Sequence, residues 1–440
     1  LVTIEGAGET LEIFYTAAGE VTEQANAAYS LMFTVTDYAS KEVSVKIGSK
    51  NPNENKGCDL LIPSSVKFND QDFAVTSIPV DGFNACKGFD KLVVPGTITS
   101  VSNSAFYNCS KLTEVVIEEG VQKLGSNTFY KISNLQTLTL PSTLTRIESL
   151  CFNGTHNIET IVCNAQTPPT AFTGCFTEYV YKNALLYVDG KYEDYKAANG
   201  WSNFNNILAV GATQTIDKDR YTLIATITNV WNRTCSVQIG TAPTNTKRAE
   251  LAIPEHVSFS GIEFDITSIP EGGFQDCKYF EGTLTIPAYI TSIGKNAFEG
   301  CSGVTALVVE EGVTSLGTSD TFNGCRNIET ITLPSTLTKI PTRCFHNILQ
   351  KLQVVECHAL VPPTLASQFT QEAYNSATLY VHDVDAYKGA NNWKSFKSIR
   401  LIGAVAQNKE TEVEYKSIAE AVAAANANPG STFTLLADNA

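Results

Sequence analysis

The pattern of apolar and polar residues along this chain repeats about every 23 residues. Each repeat begins with a Phe, continues with a short polar turn, and ends with a stretch in which apolar residues occupy alternate positions. The repeat phenylalanines are spaced by 23 or 24 positions within two groups: Phe83, Phe106, Phe129, Phe152, then Phe274, Phe298, Phe322 and Phe345. A period of this length predicts a solenoid, in which each repeat forms one coil stacked on its neighbours.

The repeat that contains Phe106 shows which elements the pattern predicts. Phe106, Cys109 and Leu112 fall at i, i+3 and i+6, which fits one tight helical or 3₁₀ turn with an apolar inner side. The residues after Leu112 alternate, so Val115 and Ile117 are expected to face the core of a short strand. Because no coil can bury its apolar side alone, we expect parallel strands from successive coils to stack into one sheet.

The repeats lie in two homologous blocks that are offset by about 192 residues. Each block opens with a strand-rich lead-in that we expect to cap its first coil, and each closes with a strand and a short helix containing Tyr and Trp. Residues 404–412 are predicted to be a polar linker. The predicted organisation is an unassigned segment 1–28, a first repeat block 29–211, a second repeat block 221–403, and the start of a truncated helix-strand module at 413–440.

The repeat fits the pattern Ile-Pro-x-x-Ala-Phe-x-x-Cys-x-x-Leu-x-x-Val-x-Ile-Pro, followed by Val/Leu-Thr-x-Ile. Segments that match it are Thr76-Ser77-Ile78-Pro79, Ala297-Phe298-Glu299-Gly300-Cys301 and Thr338-Lys339-Ile340-Pro341. This pattern resembles the BspA-type leucine-rich repeat, over roughly residues 73–169 and 264–364. The resemblance implies a β-rich α/β fold, namely a leucine-rich repeat solenoid with stacked parallel strands and short helical turns in two tandem blocks. The fourth repeat of each block departs from the pattern, since Thr155 and Ile348 stand where the Cys is expected.

Most of the twelve cysteines recur at a fixed phase of the repeat. Those three positions after a repeat Phe are Cys86, Cys109, Cys277, Cys301 and Cys325. A residue that returns at one phase is expected to pack in the core, and a reduced Cys packs as a small apolar side chain. A disulfide framework is the alternative, since stacked coils lie about 4.8 Å apart. Cys58, Cys175 and Cys235 have no counterpart in the other block, so their state stays open.

The formal net charge of -14 argues against a nucleic-acid partner, because phosphate binding needs clustered Lys and Arg. No apolar run approaches the roughly 18 residues that would span a membrane, so no membrane insertion is expected in this segment. The chain begins with Leu1 rather than Met and carries no signal peptide, so we expect a processed protein or a fragment.

No catalytic or metal-binding constellation stands out, so we expect no enzyme, no cofactor and no metal. Adjacent carboxylates, which can perform acid/base chemistry, occur at Glu118-Glu119 and Glu310-Glu311. Each pair precedes a turn Gly, and neighbouring residues point to different sides of the chain. We therefore interpret these carboxylates as part of solvated turns. The histidines show no HxxxH, HxH or HExxH spacing, no CxxC pair occurs, and no G-x-S-x-G elbow is present.

Outward strand positions are the candidate binding surface, because solenoids bind through exposed sheet faces. The candidate residues are Glu114, Val116, Thr137, Thr139, Thr160, Val162, Thr283, Thr285, Thr330 and Thr332, with Lys91, Val93, Ala306 and Val308 beside them. This face is expected to be flat, rich in Thr and Val and nearly uncharged. The alternative interpretation is that β-branched residues occupy these positions because strands favour them.

The resemblance implies an extracellular or bacterial cell-surface protein. We therefore expect a non-catalytic interaction module that adheres to a host or matrix protein, or to a glycan, through the exposed sheet face. One alternative is a structural spacer in a larger surface protein. Another is the non-catalytic part of a glycan-active enzyme, whose activity would lie in other modules.

Overall fold

A computed structural model of the chain describes residues 8, 10–18, 20–52, 57–68, 70–348, 351–366 and 369–436. The chain forms two compact units. The first consists of residues 1–212 together with 229–232, and the second of residues 213–228 together with 233–440. Each unit contains one of the repeat blocks.

The first unit is built mainly from short strands. In chain order they are β1 (Thr10–Tyr15), β2 (Val21–Thr22), β3 (Tyr29–Asp37), β4 (Glu42–Ile47), β5 (Cys58–Leu61), β6 (Ser65–Phe68), β7 (Gln71–Ser77), β8 (Phe89–Val94), β9 (Ser100–Val101), β10 (Glu114–Ile117), β11 (Lys123–Leu124), β12 (Thr137–Leu140), β13 (Arg146–Ile147), β14 (Thr160–Cys163), β15 (Thr170–Ala171), β16 (Leu185–Lys191) and β17 (Asn206–Val210). Its helices are α1 (Glu178–Asn183), α2 (Tyr192–Ala197) and a 3₁₀ turn at Gln24–Asn26.

A mixed sheet with strand order β2-β1-β3-β4-β7-β6 opens the first unit. The predicted lead-in strand at Tyr29 is present as β3, and its residues Tyr29, Leu31 and Phe33 are completely buried. Strand β1 pairs antiparallel with β3, although its residues had no assignment from the sequence. The ring of Tyr15 stacks on that of Tyr29 at 5.3 Å, so β1 contributes to the core that caps the coils.

The coils stack through a parallel sheet with strand order β17-β16-β14-β12-β10-β8-β5. Successive strands are in register, so that Leu92, Val115, Leu138 and Ile161 lie side by side and are fully buried. A second parallel sheet, with order β15-β13-β11-β9, is formed by two-residue strands from the same coils. The predicted solenoid of stacked parallel strands is therefore confirmed.

The repeat phenylalanines form one continuous stack through the first unit. Phe83, Phe106, Phe129 and Phe152 are fully buried, and their ring centroids are 5.1 to 5.4 Å apart. The segment after each Phe was expected to be one tight helical or 3₁₀ turn. It is a tight turn closed by an i to i+3 hydrogen bond, in which the Cys109 N–H donates to the Phe106 carbonyl at 3.3 Å, but it is not a helix. The positive φ of Asn108, 57°, prevents a right-handed helical backbone at this point.

The elements of the second unit follow the same plan. Its strands are β18 (Thr213–Lys218), β19 (Tyr221–Asn229), β20 (Thr234–Ile239), β21 (His256–Phe259), β22 (Ile262–Ile269), β23 (Gly282–Ile286), β24 (Ser292–Ile293), β25 (Val304–Val309), β26 (Thr330–Leu333), β27 (Lys339–Ile340), β28 (Val354–Cys357), β29 (Thr364–Leu365), β30 (Thr378–Val381), β31 (Ser398–Leu401), β32 (Ala406–Asn408), β33 (Glu414–Tyr415) and β34 (Phe433–Leu435). Its helices are α3 (Gln371–Ser376), α4 (Val384–Gly389), α5 (Ile418–Ala427) and a 3₁₀ turn at Trp393–Ser395.

The lead-in sheet of the second unit has the order β18-β19-β20-β22-β21, with β24 paired to β22. The coils again stack through a parallel sheet, β23-β25-β26-β28-β30-β31. Strand β18 lies between the predicted bounds of the two blocks, and it pairs antiparallel with β19. This pairing is the counterpart of β1 with β3, so each lead-in sheet begins earlier than the alternating pattern indicated.

The C-terminal module consists of α5 and a small antiparallel sheet with the order β33-β32-β34. The interpretation of residues 404–412 as a polar linker is wrong in part, because β32 lies within them and is the central strand of this sheet. Helix α5 begins with a capping box, in which the Ser417 hydroxyl accepts from the Glu420 N–H and the Glu420 carboxylate accepts from the Ser417 N–H.

Candidate functional site

The outward side chains of the first parallel sheet form straight rows, because the strands are parallel and in register. One row crosses the sheet from β5 to β16 and consists of Leu61, Val93, Val116, Thr139, Val162 and Tyr187. We call these six residues the apolar row. They alternate along each strand with buried core residues, and they range from half-buried to exposed. The row is therefore a continuous line of mainly aliphatic side chains that solvent can reach.

A second row runs parallel to the apolar row and is more polar. Its residues are Asp59, Lys91, Glu114, Thr137, Thr160, Leu185 and Asn206. Lys91 and Glu114 face each other on neighbouring strands, with the ammonium 2.7 Å from the carboxylate oxygen. The charges of Lys91 and Glu114 thus neutralise each other, and Asp59 adds one further carboxylate to the row.

The second parallel sheet carries two corresponding rows. The first is Thr283, Ala306, Thr330, Val354, Thr378 and Ser398, and the second is Thr285, Val308, Thr332, Glu356, Tyr380 and Arg400. Thr283 and Thr330 are exposed, whereas Thr285 and Thr332 are half-buried. All ten residues proposed from the sequence therefore point outward, and the structure places them on two sheet faces, one in each unit.

One end of the second face is charged, which the sequence interpretation missed. Glu356, His358 and His382 lie together there and are called the histidine cluster. Nδ1 of His358 is 3.3 Å from Nε2 of His382, and Nε2 of His358 is 3.4 Å from a carboxylate oxygen of Glu356. The sequence does contain a signal for this pair, because the two histidines are 24 residues apart, which is one repeat length.

Further ionisable side chains lie at this end of the second face. Burial lowers the pKa of His382 below its ordinary value, and the positive charges of Lys416 and His358 lower it further, while Glu356 acts in the opposite direction. Arg400 forms an ion pair with the nearly buried carboxylate of Glu414, whose other oxygen accepts from the Leu401 N–H at 2.6 Å. This end of the face therefore differs in chemistry from the apolar row of the first unit.

The paired carboxylates hold neighbouring coils together and do not face each other across a cleft. The Glu119 carboxylate accepts hydrogen bonds from the N–H and the hydroxyl of Ser142 at 2.8 and 2.6 Å. Glu311 accepts the same two bonds from Ser335, both at 2.8 Å. This contact explains why the pentapeptide Leu-Pro-Ser-Thr-Leu recurs in both blocks: its Ser binds the Glu of the preceding coil. The carboxylates thus have a structural role, which the interpretation as solvated turns did not include.

A ladder of hydrogen-bonded polar side chains connects the turns of the second unit. Its members follow the repeat phenylalanines by one or two positions along the chain. The Glu299 carboxylate accepts from the amides of Gln275 and Asn323, each at 2.9 Å, and Asn347 donates to Asn323 at 3.2 Å. These residues line a shallow cleft with Asp276. Since their polar groups are bound to one another, the ladder links successive coils.

The loops that contain Pro168-Pro169 and Pro362-Pro363 are each held by a hydrogen bond from a buried Trp side chain. The indole N–H of Trp201 donates to the Pro169 carbonyl at 2.6 Å, and that of Trp393 donates to the Pro363 carbonyl at 2.8 Å. In the second loop, Leu360 and Val361 project into solvent, with 68% and 80% of their surfaces exposed. A rigid loop with exposed aliphatic residues is a second place where a partner could bind.

All twelve cysteine side chains are buried, which agrees with the expectation of thiols packed in the core. Burial raises the pKa of the Cys86 thiol to about 12 and that of Cys277 likewise to about 12. A thiol with such a pKa is almost entirely protonated at neutral pH and is a poor nucleophile. Within the described ranges, no group of three or more His, Cys, Asp or Glu side chains is arranged to hold a metal ion. None of the helices described is long and apolar enough to cross a membrane.

The family model described as the BspA type leucine rich repeat region matches residues 63–178 and 255–371, in six copies. These segments make up just over half of the chain. The protein therefore belongs to the BspA-type leucine-rich repeat family. No curated protein sequence matches it.

Several solved bacterial structures are similar to this chain. A leucine-rich cell surface protein from Faecalibacterium prausnitzii is 16% identical, with 87% of this chain and 94% of that chain covered and a TM-score of 0.28. A leucine-rich repeat protein from Bacteroides ovatus is 17% identical, with coverages of 84% and 88% and a TM-score of 0.26. The pneumococcal vaccine antigen PcpA is 12% identical, with coverages of 88% and 99% and a TM-score of 0.27.

Proposed function

We propose that this protein is a non-catalytic, extracellular or cell-surface interaction module that binds a host or matrix protein through its exposed sheet faces. The proposal is based mainly on the apolar row of the first unit. Its six residues are aligned strand by strand, and neighbouring strands lie about 4.8 Å apart, so the row extends for roughly 24 Å. That length suits a strand or helix of a partner protein.

The chemistry of the apolar row favours a protein partner over a glycan. Its members are mostly Val and Leu, whose transfer out of water contributes roughly 25 cal/mol per Å² of apolar surface. Beside the row, Lys91 and Glu114 neutralise each other, so among the described charged residues of the second row only Asp59 adds a charge without an ion-pair partner there. Tyr187, the aromatic member of the row, stacks on the exposed ring of Trp231 at 6.2 Å, and a glycan that packs on this aromatic pair is the second candidate. The extracellular location is supported by the family, whose members are typical of bacterial surfaces.

The test is a binding screen of the whole chain against matrix proteins and a glycan array. Any binding found is then measured for Val162→Glu and Thr137→Glu in the first unit and for Thr285→Lys and Thr330→Lys in the second. The matched control is Ser100→Lys, which changes an exposed strand residue on the other sheet of the first unit. We expect the four variants to abolish binding with only a small loss of thermal stability, and the wild-type affinity to depend only weakly on salt.

Two results would contradict the proposal. Binding that survives all four substitutions would place the site elsewhere, with the loop that carries Leu360 and Val361 as the next candidate. A clean negative screen would favour a structural spacer. A spacer is the second candidate function because α5 and its sheet form a separate module after the second repeat block.

A further inference from the structure

The fold brings two histidines that are far apart in sequence onto neighbouring strands of the second unit. His358 follows the last residue of β28, and His382 follows the last residue of β30. These strands are parallel, and the residues just before the histidines, Cys357 and Val381, are paired in the ladder. The two imidazoles therefore project from the same face of the sheet, side by side.

The distance between the two facing ring nitrogens fits a shared metal ion. Nδ1 of His358 and Nε2 of His382 are 3.3 Å apart. Imidazole nitrogens bind zinc at about 2.0–2.1 Å in a tetrahedral arrangement, which places two of them roughly 3.3 Å from each other. At 3.3 Å the two nitrogens also satisfy an N–H···N hydrogen bond, which a bound metal ion would replace.

The position of Glu356 adds independent support. Glu356 lies in β28, two residues before His358, and its carboxylate oxygen is 3.4 Å from Nε2 of His358. Metal-binding histidines almost always direct their second ring nitrogen toward a carboxylate or carbonyl group, which fixes the tautomer and the ring orientation. Here Glu356 favours the proton on Nε2, and Nδ1 is then left with its lone pair toward His382.

The cluster can be reached from solvent. The His358 side chain is 31% exposed and the Glu356 side chain 36% exposed, and His382 is half-buried. Lys416 lies close enough to His382 to interact with it electrostatically and opposes a cation, whereas the charge of Glu356 favours one. Two imidazoles leave the remaining positions of a tetrahedral ion open to water or to a carboxylate or imidazole of another molecule.

We propose that His358 and His382, oriented by Glu356, form a binding site for a divalent transition-metal ion of the Zn²⁺, Cu²⁺ or Ni²⁺ class. Imidazole ligands select these ions over Mg²⁺ and Ca²⁺, which prefer oxygen. The site lies at the end of the second sheet face, with open coordination positions. This inference does not rest on the proposed protein-binding function, because it concerns only the side chains within the second unit.

The test is isothermal titration of the reduced, intact protein with Zn²⁺, accompanied by Co²⁺ absorption spectra. We expect a single class of site for Zn²⁺ and no measurable binding of Mg²⁺. His358→Ala and His382→Ala should each weaken Zn²⁺ binding by more than about tenfold, and Glu356→Gln by about tenfold. The matched control is His256→Ala, which removes a half-exposed strand histidine that also lies beside carboxylates but has no second imidazole next to it among the contacts described.

Three outcomes would overturn the proposal. They are the absence of Zn²⁺ binding, equal binding by the double variant His358→Ala/His382→Ala, and a near-ultraviolet thiolate-to-Co²⁺ band that shows binding by cysteines. Thermal unfolding of each variant checks that the fold is intact. If His358→Ala does not fold, His382→Ala and His382→Gln test the same pair from its other member.

Discussion

The thiol of Cys109 donates a hydrogen bond to the carbonyl oxygen of Phe83 in the preceding coil, with 3.0 Å between sulfur and oxygen. The same bond links Cys301 to Phe274 at 3.1 Å, and Cys325 to the carbonyl of Phe298 at 3.2 Å. Cysteine therefore recurs at this phase for two physical reasons. It fills a small apolar space, and its S–H donates to a carbonyl oxygen that already accepts the N–H of its own turn and has a second lone pair.

Substitutions at Cys109 should separate these two contributions. Cys109→Val keeps the apolar volume but removes the donor, and we expect it to lower the free energy of unfolding by about 1 kcal/mol. Cys109→Ala also leaves a cavity and should cost more, about 2 kcal/mol. Urea denaturation of the reduced protein measures both. If Cys109→Val is as stable as the wild type, the thiol acts through packing alone.

Removal of one ring from the phenylalanine stack should be among the most damaging single changes. Phe106 is fully buried between Phe83 and Phe129, so Phe106→Ala is expected to lower the free energy of unfolding by about 3–5 kcal/mol. Tyr107→Ala is the matched control, because Tyr107 stacks on Tyr130 at 5.3 Å but is only half-buried. Equal losses in thermal stability for the two variants would contradict the assignment of the Phe stack to the core.

The contact between Glu119 and Ser142 should make stability depend on pH. Burial alone would raise the pKa of Glu119, but the hydrogen bonds from the Ser142 hydroxyl and N–H outweigh it, and the pKa lies below its ordinary value. A carboxylate whose pKa is lower in the folded state stabilises the fold above its unfolded pKa, and this contribution is lost as the pH falls through the folded pKa. Stability should therefore decrease on acidification below the ordinary pKa of Glu.

The variant Glu119→Gln measures this contribution. It should be less stable than the wild type at neutral pH, and the difference should shrink in acid, where the wild-type carboxylate is protonated. Glu118→Gln, which changes the exposed carboxylate next to it, is the control and should leave the pH dependence unchanged. Thermal unfolding between neutral and acidic pH gives the comparison. A constant difference between Glu119→Gln and wild type at every pH would exclude the linkage.

The cysteines should behave as protected thiols. Because they are buried, and because burial raises the pKa of Cys175 and Cys235 to about 12, iodoacetamide should label the native protein very slowly. After denaturation without reductant, mass spectrometry should find most of them labelled. Extensive protection that persists in the denatured, unreduced protein would instead show disulfides.

The lead-in strands that the sequence left unassigned should be necessary for stability. A fragment of residues 8–212 retains β1, whose residues Thr10 to Tyr15 pair with β3 and which adds the stacked ring of Tyr15. A fragment of residues 29–211 lacks this strand and exposes the edge of β3, so we expect it to unfold at lower urea concentration and to aggregate more readily. Equal stability of the two fragments would show that β1 contributes little.

The sequence by itself determined the repeat, the inward and outward positions of its strands, and the buried phenylalanines. These features depend on periods of 2 and of about 23 residues, which are local and can be counted along the chain. The same alternation placed Thr137 and Val162 on an outward face. The tight turn after each Phe was also predictable from the spacing, but its backbone is not helical, because residues such as Asn108 have positive φ.

Only the tertiary structure decided which residues of successive coils meet. Glu119 binds Ser142, and His358 faces His382, because stacking in register places residues 23 or 24 positions apart within bonding distance. Short motif spacings do not detect such pairs, since those spacings describe neighbours along a helix or strand. The antiparallel pairing of β1 with β3 was equally hidden, because strand pairing is specified by contacts across the sheet rather than by the pattern of either strand alone.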